Sequence, residues 1–194
     1  MTTLQGNSGV ARSRHGFTLI ELLMVVVIVG VMMSIAVPRL RITPETEVQL
    51  AAMQLAQDID LARTRALSTR SASRVSFSAG ASQYTGYLDN DDNGTFGETI
   101  VERDALRGFA TRTLRPGIAF GRGSASAVPD DASGGAITFA SSRVEFDARG
   151  LTAPMGTGGV VYVRHETKPT AVTAVAVSPA GSVRLWTWRN GAWE

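Results

Sequence analysis

The 194-residue sequence has no cysteine, a single lysine and only two histidines. Without thiols, neither a disulfide framework nor thiolate chemistry is available, whatever compartment the chain occupies. With His15 and His165 at opposite ends of the chain, a histidine-based catalytic triad and a multi-histidine zinc site are nearly excluded. Basic side chains are 18 arginines and Lys168, which favours bidentate pairing or stacking wherever they cluster. The formal net charge is only +2, so charge alone makes no case for a nucleic-acid partner. Two further absences weigh against an enzyme. The Gly-rich turn Gly156-Thr157-Gly158-Gly159 precedes a strand rather than opening a helix, the wrong order for a phosphate cradle. Asp58 and Asp60 lie two apart on a helical stretch and cannot face one another as an acid/base pair.

What the chain does have is one long apolar run. Phe17 to Val37 carries one charge, Glu21, and at about 1.5 Å per residue it is long enough to cross a bilayer as a helix. A carboxylate costs about 2.5–3.5 kcal/mol at the centre of such a span and less near its end. Glu21 must therefore find a partner or snorkel to the headgroups. The first 16 residues, polar and ending in Arg12, Arg14 and His15, have no apolar periodicity and read as a leader or a tail. Ser34-Ile35-Ala36 offers a competing site for ordinary signal-peptide cleavage, against which count an apolar region longer than the usual one and the acid at its start. Arg12 and Arg14 before the span nearly balance Arg39 and Arg41 after it, so the positive-inside count gives no orientation.

Pro38 is expected to end or kink the span. Thr43-Pro44-Glu45 then reads as a fresh helix start, with Thr43 as cap and Pro44 at the first helical position. Val48, Ala52, Leu55, Ile59, Ala62 and Ala66 follow at spacings of four and three, while Gln54, Gln57, Asp58 and Arg65 are placed on the opposite face. An amphipathic helix to about Thr69 results. From Arg74 the period switches to two, and Gly, Pro, Ser and Asp punctuate the chain. Strands are expected near 74–79, 83–88, 98–103, 105–110, 117–122, 136–140, 143–147, 159–165, 172–178 and 182–188. The run Gly121 to Gly135 has the composition of a mobile loop.

Three clusters could carry chemistry. Arg184, Trp186 and Trp188 share one face of the last strand, with Arg189 and Trp193 following. Stacking on aromatics is worth about 1–3 kcal/mol per base, so the group is competent for single-stranded nucleic acid or a partner contact. The alternative is that the tryptophans pack on the helix or on a second sheet. Asp89, Asp91, Asn93 and Gly94 match the first half of a calcium loop, but Ile100 stands where the bidentate acid belongs. A hairpin turn is the competing and favoured reading, with calcium the weaker one. Arg103, Arg107, Arg112, Arg115 and Arg122 form a stretch interrupted by Glu102 and Asp104, expected as a solvated or subunit-contacting face.

Two sets of residues carry a family resemblance. Gly16-Phe17-Thr18-Leu19-Ile20-Glu21, after a polar leader and before an apolar helix, resembles the prepilin processing site of type IV pilins and type II secretion pseudopilins. The β-region, with Leu88 to Gly94, Gly97-Glu98, Val144 to Gly150 and Val177 to Arg184, is similar to the GspH/FimT family of minor pseudopilins and minor pilins. The resemblance implies cleavage after Gly16 by a prepilin peptidase, N-methylation of Phe17, and pairing of Glu21 with the terminal amine of a neighbouring subunit. It also implies a single-pass inner-membrane protein with its C-terminal domain in the periplasm, assembling with other minor and major pilins or pseudopilins near a filament tip. Some FimT-like members bind DNA through Gly-Arg-x-Arg. Here the matching residues are Gly181-Ser182-Val183-Arg184, so the first arginine is missing and DNA is the less favoured partner.

The resulting expectation is an α+β chain. It has a leader at 1–16, a transmembrane helix at 17–38, an amphipathic stem helix at 39–70 and an antiparallel β-domain of two sheets at 71–194. Neither an enzyme nor a cofactor is expected.

Overall fold

Thr18 opens the first helix, its Oγ1 accepting from the Glu21 backbone N–H at 3.3 Å. In the computed structural model this helix, α1, spans Leu19–Arg39, so it runs one residue beyond Pro38 before it ends. The structure describes residues 17–39, 43–97, 111–129, 131 and 134–194. The leader with Gly16 and the strands expected at 98–103 and 105–110 lie outside the described residues, as do Glu98, Arg103 and Arg107. Two compact units are present, residues 1–41 and 42–194. In the first, every large apolar side chain from Phe17 to Ile35 is exposed. Fully covering such side chains is worth about 1.5–3 kcal/mol each, so α1 requires lipid or other helices around it.

The second unit is built on helix α2, Pro44–Thr69. Thr43 caps it by accepting from the Thr46 N–H at 3.4 Å, Pro44 occupies the first turn, and Glu45 and Glu47 lie where the helix dipole favours acids. Arg70 ends it in the left-handed conformation, at φ 56°. Val48, Ala52, Leu55, Ile59, Ala62 and Ala66 are all fully buried, as the spacing requires.

Among the described residues ten strands follow: β1 Ser73–Ser78, β2 Gln83–Leu88, β3 Thr111–Thr113, β4 Ile118–Phe120, β5 Arg143–Phe146, β6 Thr152–Ala153, β7 Gly159–His165, β8 Val172–Val177, β9 Val183–Arg189 and β10 Ala192–Trp193. They pair antiparallel into two five-stranded sheets, ordered β3-β2-β1-β5-β6 and β10-β9-β8-β7-β4. The main core joins the α2 stripe to Val75, Phe77 and Tyr84 of the first sheet and Val161, Val163, Val175 and Val177 of the second. Phe77 meets Phe120 edge-on at 6.0 Å and stacks on Phe139 at 5.9 Å. The fold is thus α+β, an apolar N-terminal helix, then an amphipathic helix packed on two antiparallel sheets.

Three expectations are corrected, and three short strands are added. Asp58 does not face away from the stripe: it is 5% exposed, because Tyr84 and Arg112 reach it from the first sheet. The stretch 136–140 makes one isolated bridge, Ile137 to Val161, and then a short helical turn at Ala140–Ser142 rather than a strand. The run from Gly121 is held down: Ala125 and Val128 are buried, and the Val128 N–H donates to the Tyr162 hydroxyl at 2.9 Å. β3, β6 and β10, each two or three residues long, had no sequence signal.

Candidate functional site

β9 alternates between two environments. Val183 packs on the main core, whereas Trp186, Trp188 and Trp193 pack on a second, smaller cluster on the opposite face of the same sheet, formed by Ala125, Val128, Val160, Tyr162, Val172 and Ala174. The tryptophans therefore sit neither on α2 nor between the sheets but beneath the segment that follows Gly121. Trp188 and Trp193 meet edge-on at 5.1 Å, and the Trp193 Nε1–H donates to the Ser126 carbonyl at 3.1 Å. Tyr162 ties the segment from below. Its hydroxyl donates to Asp131 Oδ2 at 2.6 Å, and burial, reinforced by that bond, pushes it up to about 12.

What remains accessible is the cationic rim. Arg184 and Arg189 are exposed, and the Arg184 guanidinium lies 5.7 Å from the Trp186 ring centre. Arg184 and Trp186 line an open groove of about 780 Å³ together with Asp131 and Thr138. The grouping of Arg184 and Trp186 expected from the sequence is present. Trp186 and Trp188 both pack on the second cluster, and Trp188 also meets Trp193.

The turn that begins β9 is specified by close approach. Gly181 has φ +79°, and a Cβ there would lie 2.3 Å from the Gly150 carbonyl oxygen and 2.8 Å from Arg63 Nε. Arg63 of α2 donates from Nε to Gly150 O at 2.9 Å and from Nη2 to Ala180 O at 3.5 Å. Two turns that are far apart in sequence, 147–150 and 178–181, are thereby clasped to one helix residue. Sequence reading singled out both turns but missed Arg63, since a helical arginine beside an apolar stripe gives no separate signal.

A second buried polar group went unread. Asp58 Oδ2 accepts from the Tyr84 hydroxyl at 2.6 Å and lies 2.7 Å from Arg112 Nε. Arg112, expected on a solvated face, instead reaches inward from β3 to this carboxylate. Burial raises the Asp58 carboxyl above the ordinary carboxylate range, with the Tyr84 hydrogen bond and the Arg112 charge opposing it.

The acidic turn after β2 uses its own oxygens. Asp89, buried, accepts from the Asn93 and Gly94 N–H groups at 3.2 and 2.9 Å. Asp91 Oδ2 accepts from the Asn93 side-chain amide at 2.8 Å, while Asn93 Oδ1 accepts from the Thr95 N–H at 2.7 Å. These are the bonds of a tight Asx turn. Among the described residues no group of three His, Asp or Glu side chains is arranged to hold a metal.

At the N-terminus, Phe17 is exposed. The Glu21 carboxylate has no ion pair with another described residue. The prokaryotic N-terminal methylation motif matches residues 11–37, and the model of the type II transport protein GspH matches residues 51–181, most of the second unit. The chain belongs to the GspH family. It is accordingly a minor pseudopilin or minor pilin of the type II secretion or type IV pilus type, a family of structural subunits that assemble with other pilins rather than of enzymes. The type IV minor pilin FimU of Pseudomonas aeruginosa is 17% identical to this GspH-family chain, with 72% of this chain and 87% of that one covered at a TM-score of 0.47. The minor pseudopilin EpsH of the Vibrio cholerae type 2 secretion system is 13% identical, with 73% and 97% covered at a TM-score of 0.49. No curated protein sequence matches.

Proposed function

We propose that the chain is processed after Gly16, anchors in the inner membrane through residues 17–38 with its β-domain in the periplasm, and is drawn into a pseudopilus or pilus at or near the tip. The observation that carries this reading is α1: a helix whose large apolar side chains are exposed from Leu19 to Ile35, interrupted near its start by one acid that has no ion pair among the described residues. In a filament the neighbouring helices cover those side chains, and a neighbour's terminal amine neutralises Glu21, which offsets the cost of burying it. The two halves of the chain divide the work, α1 supplying packing and registry and the β-domain choosing neighbours.

The test uses the variant Glu21→Ala in cells that build the filament. Membrane insertion is expected to be unchanged, since removing a charge from a span lowers its transfer cost, while recovery in the sheared filament fraction falls. Normal recovery would remove this role for Glu21. Sequencing the mature N-terminus checks the processing step: Phe17 supports it, Val37 supports ordinary signal-peptide cleavage, and Met1 or Thr2 contradicts both.

A second reading, DNA capture for natural transformation, is favoured only by the Arg184–Trp186 contact. Trp188 and Trp193 are engaged with each other, and Ser182 stands where the DNA-binding members have arginine. Gel-shift titration with single- and double-stranded DNA across salt concentrations decides it. Absence of binding at low salt ends the reading.

A further inference from the structure

The turn after β2 carries a signal that its geometry as a turn does not use up. Of the asparagines in the chain, only Asn93 is followed two positions on by a hydroxyl, in Asp91-Asp92-Asn93-Gly94-Thr95. At the same spacing Asn7 has Gly9, Asn90 has Asp92 and Asn190 has Ala192. Asn-x-Thr with no proline between is the acceptor signal for attaching an oligosaccharide to the asparagine nitrogen on a surface loop. Bacterial transferases of this kind also read an acid two residues before the asparagine, the place Asp91 holds.

Turn chemistry accounts for Asp89, Asn93 and Gly94; whether the asparagine can be reached is a separate matter that the fold decides. Residues 90–95 are all exposed, an unbroken run beyond the end of β2. Its base is fixed, because Asp89 is buried, donates its N–H to Ala72 O at 2.9 Å and accepts from the Asn93 and Gly94 N–H groups. The carboxamide stands outside that anchor. Asn93 Oδ1 accepts from the N–H and the hydroxyl of Thr95, and Nδ2 donates to Asp91 Oδ2 at 2.8 Å. The acid, the asparagine and the hydroxyl that the signal specifies are thus gathered round one exposed amide. Since Asp91 and Thr95 are themselves in solvent, exchanging these bonds for bonds to a transferase has little net cost.

We propose that Asn93 is a glycan acceptor, taking an oligosaccharide from a polyprenyl-diphosphate donor. Nδ2 forms a bond to the anomeric carbon of the first sugar, and that carbon's bond to the diphosphate oxygen breaks. The polyprenyl diphosphate leaves with the electron pair, and the Nδ2 proton passes to a carboxylate of the transferase. Asp91 and Thr95 are the residues by which the site is recognised. Asn190 is an internal comparison: it too is exposed and precedes a glycine, Gly191, but Trp188 and Ala192 stand where the acid and the hydroxyl are needed.

The proposal rests on the reading that puts the β-domain in the periplasm, the side on which such bacterial transferases work. The full chain is produced in cells that hold a bacterial asparagine transferase, its polyprenyl-diphosphate oligosaccharide and a control acceptor protein. The tryptic peptide 75–103 is then weighed and fragmented. The expected result is sugar on Asn93 and none on Asn190. Asn93→Gln, Thr95→Ala and Asp91→Ala should lose it, whereas Thr95→Ser and Asp91→Glu should keep it, which separates recognition from a disturbed turn. A bare Asn93 beside a modified control overturns the proposal, as does sugar that persists in Thr95→Ala or appears on Asn190. Protease added to spheroplasts tells this failure from that of the reading beneath it. A β-domain that is cut there yet bare at Asn93 overturns the proposal alone; a β-domain protected there overturns both.

Discussion

Asp58 shows how far one residue departs from the pattern around it. It is an ionisable side chain inside the main core, satisfied by Tyr84 and Arg112. Asp58→Ala leaves the Tyr84 hydroxyl without its acceptor and Arg112 without its counter-charge, and should cost about 3 kcal/mol, read by urea unfolding of residues 42–194. Asp58→Asn keeps an acceptor for Tyr84 and should cost less, about 1 kcal/mol. The pH dependence has a definite sign. Because burial raises the native Asp58 value, its contribution is complete below the unfolded value and fades as pH rises through the native one. The deficit of Asp58→Asn relative to wild type should therefore shrink as pH rises from about 4, the ordinary carboxylate value; a deficit that grows with pH would mean that the Arg112 charge outweighs burial. Gly181→Ala belongs to the same scale. At φ +79° and with Gly150 O 2.3 Å from the new Cβ, it should destabilise by more than about 1 kcal/mol. Weakened function in that variant, measured beside its melting curve, would reflect the displaced turn rather than a lost contact.

Among the elements, α2 was legible because its apolar residues repeat at the helical period, and β1, β2, β7, β8 and β9 because alternation and turn residues bound them. Asp58 and Arg63 were not, since a polar residue beside a stripe looks the same whether it is solvated or held by residues distant in sequence. The segment after Gly121 was misread for a related reason. Ala125 and Val128 are isolated among Gly, Ser and Asp, so no period announces that they cover Tyr162 and the tryptophans. Tyr162→Phe tests the tie directly. It removes the bond to Asp131 and leaves the Val128 N–H without its acceptor, and should cost about 1–3 kcal/mol. Proteolysis of the segment between Gly121 and Gly135 should accelerate before global unfolding, because local opening draws on these few contacts. Equal acceleration across the domain would show that the segment is not a separable unit.

At the scale of the whole molecule, the two units place opposite demands on solvent. Residues 42–194 bury their own core, from Val48 to Val177, whereas the large apolar side chains of α1 from Leu19 to Ile35 are all exposed. The apolar run and the Glu21 position were plain in the sequence because a bilayer tolerates few alternatives to twenty apolar residues. The pairing of strands distant in sequence was not, because it exists only once the two sheets have formed. If the core is self-contained, a fragment of residues 42–194 should be soluble and melt cooperatively in plain buffer. Substitution within its stripe should then act at full strength. Leu55→Ala, at a fully buried position, should cost about 2–5 kcal/mol in the fragment and in the detergent-solubilised full chain alike. A much smaller cost in the full chain would mean that α1 contributes to the stability of the second unit. Equal costs leave α1 with lipid and neighbouring helices as its packing partners.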